Sequence, residues 1–301
     1  MAENYSSMIK IMKEMARPAL KLINAERPGF SKLGGLPNLP AGLDWPSWLG
    51  LPLSFIAQFD LAELEVSKTI PEFPAEGRLY FFSPGPWTGQ WQQPFGNKPE
   101  DAGSAVVIYS RAEPGPLSQA PEELSRPGLF DEYETGIFSQ RLLSAETIIS
   151  WPAPNSLSCL IYERPGRTSD SGLFFPEMDP LLDEYLNHHR EIFGSQPGRQ
   201  HQMGGFPDPE QPGDMRLDCQ LGLSGLKYGD QITTAQAEEI EQGLEDWQLL
   251  LQLDSDACED LPDDGGSYMY WGNEGFMYFW IRKQDLMARD FSKVWAIMQW
   301  T

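Results

Sequence analysis

The sequence predicts an α+β protein with mainly antiparallel sheets in two related halves, flanked by helices and long Gly/Pro loops. Three observations predict it. Short motifs recur in the same order along the chain. Strand-like segments predominate and are joined by irregular loops. Regular strand–helix–strand alternation is missing, which speaks against a doubly wound parallel sheet.

The recurrence is specific. Gly34-Gly35-Leu36-Pro37-Asn38 returns as Gly204-Gly205-Phe206-Pro207-Asp208, and Ile56-Ala57-Gln58-Phe59-Asp60 as Leu250-Leu251-Gln252-Leu253-Asp254. Glu76-Gly77-Arg78-Leu79-Tyr80-Phe81-Phe82 returns as Glu274-Gly275-Phe276-Met277-Tyr278-Phe279-Trp280. The offsets are 170, 194 and 198, so the second copy gains 24 residues between its first two motifs and 4 before the third. Ordered recurrence at drifting offset is the mark of a duplicated supersecondary unit. One domain spanning 1–301 is expected, with halves near 28–150 and 195–298.

Apolar residues at three- and four-residue steps over 3–24 predict an amphipathic helix that Pro18 interrupts. Residues 28–52 form an ordered loop punctuated by glycine and proline, with Trp45 and Trp48 to bury. Strands are expected at Leu53–Phe59, Arg78–Ser83, Ser104–Ser110 and within Gln140–Ser150. The second half opens with a helix from Pro180 to about Phe193, capped by Asp179. Met215–Leu221 reads as a strand and Thr233–Leu244 as a helix, where Thr233 and Gln236 make a capping box. Trp247–Asp254, Ser267–Trp271 and Phe276–Ile281 read as strands, and Asp285–Met298 as a closing helix.

Composition limits the function. Hydrophobic residues make up 41% of the chain, enough for a substantial core. Lys and Arg total 22 against 44 Asp and Glu, a net charge of −22. Such a field repels phosphate backbones and anionic membranes and attracts basic partners. Cys159, Cys219 and Cys258 form no CxxC pair, which points to free thiols in a reducing compartment. The N-terminal residues lack the pattern of a secretory signal, and no apolar run approaches the ~20 residues of a membrane-spanning helix. A soluble, cytoplasmic protein that binds neither nucleic acid nor membrane is expected.

The strings Leu53-Ser54-Phe55-Ile56-Ala57-Gln58-Phe59-Asp60-Leu61 after Trp45-Pro46, His201-Gln202-Met203-Gly204-Gly205-Phe206-Pro207-Asp208-Pro209 and Leu249-Leu250-Leu251-Gln252-Leu253-Asp254-Ser255-Asp256 occur in order. Met269-Tyr270-Trp271-Gly272-Asn273-Glu274-Gly275, continuing to Asp290-Phe291-Ser292, follows them. Together they resemble the YwqG-like family of uncharacterised, mostly bacterial proteins. The resemblance implies a duplicated α+β fold. It also implies a protein-binding role, because relatives tend to lie near toxin and immunity systems.

The paired Gln-x-Asp motifs are the leading candidate site. Strand alternation puts Gln58 and Asp60 on one face, and Gln252 and Asp254 likewise. If the halves pack about a pseudo-twofold axis, these side chains could converge with Trp271 and His201 on a polar or cationic small molecule. Each motif also has a structural reading: Asp60 caps a short helix and Gln58 satisfies backbone groups of the Gly/Pro loop. His201 either orients a ligand, acts as a base or anchors its loop. His188 and His189 are adjacent and cannot form the i, i+4 pair of a zinc protease. The acidic run from Asp254 to Asp264 departs from an EF-hand, because Glu259 stands where glycine is required. No nucleophile elbow, Walker A loop or dinucleotide fingerprint is present, so no catalytic residue, cofactor or metal is assigned. Trp87 and Trp91, among glutamines, suggest an exposed contact surface. The leading expectation is a non-enzymatic binding protein, of immunity or regulatory type, for a basic partner protein. The alternative is a small-molecule or enzymatic site at the seam between the halves.

Overall fold

A computed structural model describes residues 16–85, 94–126, 135–151, 168–169, 172–173, 200–211, 213–255 and 266–301. In chain order it contains β1 (Arg17–Asn24), β2 (Lys32–Leu33), the hairpin of β3 (Ser47–Trp48) and β4 (Leu51–Pro52), β5 (Ser54–Asp60), α1 (Val66–Thr69), β6 (Arg78–Ser83), β7 (Val106–Ser110) and β8 (Arg141–Ser150). There follow β9 (Thr168–Ser169), β10 (Gly172–Leu173), β11 (His201–Met203), α2 (Met215–Leu223), α3 (Thr234–Leu244), β12 (Trp247–Asp254), β13 (Phe276–Arg282), α4 (Lys283–Ala288) and β14 (Trp295–Gln299).

The fold is α+β. Ten strands form one sheet in the order β14-β13-β12-β11-β1-β8-β2-β5-β6-β7. Every neighbouring pair is antiparallel. The order is palindromic about the β1–β8 pair: β2, β5, β6 and β7 run outward on one side, and β11, β12, β13 and β14 on the other. Both sides have a bulge at the matching place. The register slips between Phe55 and Ala57 on β5, and between Leu249 and Leu251 on β12. Each extra residue bends its strand and tightens the local twist.

The outer strands face one another across a shared core. Phe81 of β6 meets Phe279 of β13 edge to face, with ring centroids 5.1 Å apart, and Tyr109 of β7 lies 5.4 Å from Phe291. One cluster of buried residues therefore draws on both sides of the sheet, including Ile56, Phe59, Leu79, Leu250, Met277 and Ile281. Burying each large apolar side chain contributes about 1.5–3 kcal/mol, so this shared cluster ties the two sides together.

The opposite face of each side has its own cover. On the first, Leu39, Leu53, Phe55, Tyr80 and Phe82 lie under Trp45 and Trp48 of the loop that carries the β3–β4 hairpin. On the second, Trp247, Leu249, Tyr278, Trp280 and Trp295 lie under Met215 and Cys219 of α2. Twenty residues separate Asn38 from Gln58 and 44 separate Asp208 from Gln252. The longer segment carries the helical pair α2–α3; the shorter one carries only the tryptophan hairpin.

Four sequence expectations are corrected. Arg17–Asn24 is a strand, because Ala19, Leu20 and Leu22 are buried while its backbone pairs with β8 over its whole length. Met215–Leu223 is a helix, started by Asp214, whose side chain accepts a hydrogen bond from the Arg216 N–H. The closing segment is α4, then a 3₁₀ turn at Phe291–Lys293, then β14. Arg289 in the left-handed conformation (φ 59°) ends the helix. Ser267–Trp271 is also no strand; Ser267 makes a single parallel bridge to Phe138. The capping box of α3 forms as read, with Thr233 and Gln236 bonding reciprocally. No helix among the described residues is long and apolar enough to cross a membrane. Residues 3–15 of the helix expected over 3–24, and the expected helix Pro180–Phe193, lie outside the described residues.

Candidate functional site

Gln58 is 1% exposed on β5 and holds the first Gly-Gly loop from inside. Its Oε1 accepts from the Asn38 N–H at 2.9 Å, and its Nε2 donates to the Phe30 carbonyl at 2.9 Å and to Asn38 Oδ1 at 3.1 Å. The Tyr80 hydroxyl donates to the Asn38 carbonyl at 3.0 Å, and burial pushes its pKa up to about 12. Gly34 donates its N–H to the Ile56 carbonyl, and Gly34 and Gly35 both sit at positive φ. A Cβ on Gly34 would meet the Ser139 carbonyl oxygen at 2.1 Å, so glycine is required there.

The second loop repeats this arrangement. Gln252 is fully buried on β12; its Oε1 accepts from the Asp208 N–H at 2.8 Å and its Nε2 donates to the Gln200 carbonyl at 3.2 Å. The Tyr278 hydroxyl donates to the Asp208 carbonyl at 2.7 Å, and Gly204 N–H donates to the Leu250 carbonyl. Each glutamine thus bonds within its own side of the sheet.

Further partners of the loops went unread in the sequence. Lys32 of β2 is 4% exposed, and its Nζ donates to the Leu36 carbonyl at 2.7 Å and to Gln140 Oε1 at 3.0 Å. At the matching place on β11, Gln202 Nε2 donates to the Phe206 carbonyl and the Gly204 carbonyl, both at 2.8 Å. Burial lowers the Lys32 pKa to about 8, since no carboxylate offsets the desolvation of its ammonium among those contacts. The signal lay in the repeat: Lys32 stands two residues before Gly34, as Gln202 stands before Gly204. Glu63 was the other omission. Its carboxylate accepts from the N–H groups of Phe30 and Ser31 and from the Ser31 hydroxyl, all within 3.0–3.2 Å, and so fastens the start of the same loop.

Asp60 caps the turn that follows β5. Its Oδ1 accepts from the N–H groups of Ala62 and Glu63 at 3.1 Å, and its Oδ2 lies 3.1 Å from Arg78 Nε in an ion pair. Its counterpart Asp254 sits in a different setting. The Asp254 N–H donates to His201 Nδ1 at 3.2 Å, and the Asp254 carbonyl accepts from the Trp271 indole at 3.2 Å. Burial, aided by the nearby Arg141 guanidinium, lowers the His201 pKa to about 3. The imidazole is therefore neutral near pH 7 and acts here as a hydrogen-bond acceptor. Trp271 is fully buried and packs against Phe138 at 5.8 Å.

The six candidates accordingly fall into two groups: Gln58 and Asp60 around the first loop; His201, Gln252, Asp254 and Trp271 around the second. The second group borders a junction between the two sides, where Ser139 N–H donates to the Ser267 carbonyl and Ser267 N–H to the Ile137 carbonyl. Among the described residues no group of three or more His, Cys, Asp or Glu side chains could hold a metal ion. His188, His189, Trp87, Trp91 and the acidic positions 256–264 lie outside the described residues.

Fold and site define an α+β protein whose ten-stranded antiparallel sheet carries two Gly-Gly loops, each pinned by a buried glutamine. The chain belongs to a family defined by a domain of unknown function (DUF1963), whose pattern matches residues 31–300. No curated protein matches it.

Proposed function

We propose that the protein is a non-enzymatic binding factor that engages a basic partner protein through its acidic surface. The observation that carries this reading is the charge, 44 acidic against 22 basic residues. The exposed helix α3 illustrates it: Glu238, Glu239 and Glu241 face solvent, only Ile240 is buried, and the helix has no basic residue. The polar side chains best suited to a small ligand, Gln58 and Gln252, are engaged with their own loops. We read the two sides of the sheet as copies of one duplicated unit, supported by the palindromic strand order, the matched bulges and the matched glutamine bonds. The motif resemblance supports kinship with the YwqG-like proteins and a cytoplasmic role of immunity or regulatory type. Pull-down from native lysate at low and high ionic strength tests the reading. A protein retained at low salt and released at high salt is expected; no protein at either salt contradicts it.

A second reading, a small-molecule site, draws on one observation: His201, Asp254 and Trp271 meet beside the junction at Ser139 and Ser267. A metabolite screen by thermal shift tests it. A hit whose shift disappears in His201→Ala supports this reading, and the absence of any hit rejects it.

A further inference from the structure

The β3–β4 hairpin carries an exposed leucine where the backbone disfavours one. Ser47 pairs with Pro52 and Trp48 with Leu51, leaving Leu49 and Gly50 as a two-residue turn. Both have positive φ, 50° and 82°. Tight hairpin turns of this kind prefer Asn, Asp or Gly, because a Cβ with a bulky side chain is strained there. Yet Leu49 is 70% exposed, so burial within the chain does not explain its presence. A single exposed leucine is ordinary, but one held at positive φ is a backbone outlier of the kind that clusters at binding sites.

The turn is also held rigidly. The Trp45 indole donates to the Leu53 carbonyl at 2.7 Å, and the Trp48 indole to the Ala102 carbonyl at 3.2 Å. Leu53 N–H donates to the Pro46 carbonyl, and Trp45 packs on Phe82 at 5.6 Å. A preorganised apolar tip binds with little loss of conformational freedom. Its surroundings are acidic. Asp44 is exposed on the same loop, Glu100 is exposed in the turn that leads into Ala102, the acceptor of the Trp48 indole, and Glu123 lies in the 3₁₀ turn Glu122–Ser125 that packs on β4. The basic residues near them are engaged, Arg126 with Glu122 and Lys98 with Asp101.

We propose that the Leu49 hairpin is a docking surface for a basic amphipathic helix of a partner protein. Two features of the molecule select that occupant. The acidic rim complements lysine or arginine flanking an apolar stripe. On the other side of the sheet, the matching face takes a helix, α2, as its cover, with Met215 and Cys219 over Trp247 and Leu249, where the first side has only the tryptophan hairpin. The inference rests on the basic-partner reading and deepens it.

The test uses a synthetic amphipathic helical peptide of leucine and lysine, with a leucine–glutamate peptide as control. Titrations compare the wild-type chain with Leu49→Asn and with Glu100→Gln/Glu123→Gln. Asparagine suits a left-handed turn position, so the first variant is expected to melt no lower than wild type. It is expected to bind the lysine peptide at least ten-fold more weakly. The double variant is expected to bind more weakly at low salt and with a shallower salt dependence. Equal affinity of Leu49→Asn and wild type overturns the docking surface while leaving the acidic-surface reading standing. No binding of the lysine peptide to wild type at low salt overturns both. Self-association of the wild type that Leu49→Asn abolishes overturns the proposal in favour of a second copy as the occupant.

Discussion

Gln58 and Gln252 make the same two bonds in two places. Each accepts a loop N–H through Oε1, from Asn38 at 2.9 Å or Asp208 at 2.8 Å, and each donates through Nε2 to the carbonyl eight residues before that N–H, of Phe30 or Gln200. A tyrosine on the neighbouring strand, Tyr80 or Tyr278, donates to the carbonyl of the same loop residue. A buried amide that satisfies a donor and an acceptor at once is well suited to fixing an irregular loop. Leaving either backbone group unpaired is expensive.

The match between Lys32 and Gln202 predicts that Lys32→Gln folds. A glutamine there can donate to the Leu36 carbonyl, as Gln202 donates to Phe206, without burying a charge. The folded pKa of Lys32 is about 8, below the ordinary 10.5, so the unfolded chain holds more protons between these values. Wild-type stability therefore gains from Lys32 as pH rises from about 8 towards 10.5, and below 8 the burial penalty is present in full. Urea unfolding of both proteins at pH 7 and pH 10 checks this. The variant is expected to be the more stable by a larger margin at pH 7.

His201 acts with the same sign in a more acidic pH window. Its folded pKa of about 3 lies below 6.5, so the unfolded chain takes up the proton first as pH falls. Stability from this group is complete above pH 6.5 and is lost progressively towards pH 3. His201→Asn keeps an acceptor for the Asp254 N–H and does not titrate. Melting temperatures at pH 7.5 and pH 5 are expected to differ less in the variant than in wild type.

Gly96 fastens one side of the sheet to the other. Its carbonyl accepts from the Trp295 indole at 2.7 Å, and the neighbouring Phe95 carbonyl accepts from the Met298 N–H at 3.2 Å, so this loop lies along β14. A Cβ at Gly96 would sit 1.9 Å from the Ala296 carbonyl oxygen, whereas one at Gly42 would meet nothing within 4 Å. Both have positive φ. Gly42→Ala is expected to lose only about 1 kcal/mol from backbone conformation. Gly96→Ala is expected to lose at least about 2 kcal/mol, because the loop must also move. Denaturant midpoints of the two variants decide the comparison.

The strands that carry the repeated motifs were legible because each combines a buried apolar run with a matching copy elsewhere in the chain. Elsewhere local periodicity misled. In Arg17–Asn24 the helical spacing of Met8, Met12 and Met15 was carried through Pro18 into a segment whose pairing partner, β8, lies far away in sequence. In Met215–Leu221 the alternation of Leu217, Cys219 and Leu221 imitates a strand, and the Asp214 cap was the signal that should have prevailed. Phe291 and Trp295 suit a helix by spacing, but Arg289 and the Asp290 cap interrupt it, and pairing with β13 settles the rest. At the candidate site, the roles of Gln58 and Asp60 towards their own backbone could be read from loop composition. The buried ammonium of Lys32 could not, because a lysine signals solvent exposure by default.

Equilibrium unfolding of Gln58→Leu and Gln252→Leu tests most directly the claim that these two side chains pin the Gly-Gly loops. Each substitution removes the acceptor for one loop N–H and the donor for one carbonyl at nearly constant volume. Each is expected to lower stability by about 1–3 kcal/mol, the cost of leaving such buried groups unpaired. Wild-type stability in both variants would contradict the claim and return the glutamines to the role of ligand-binding groups.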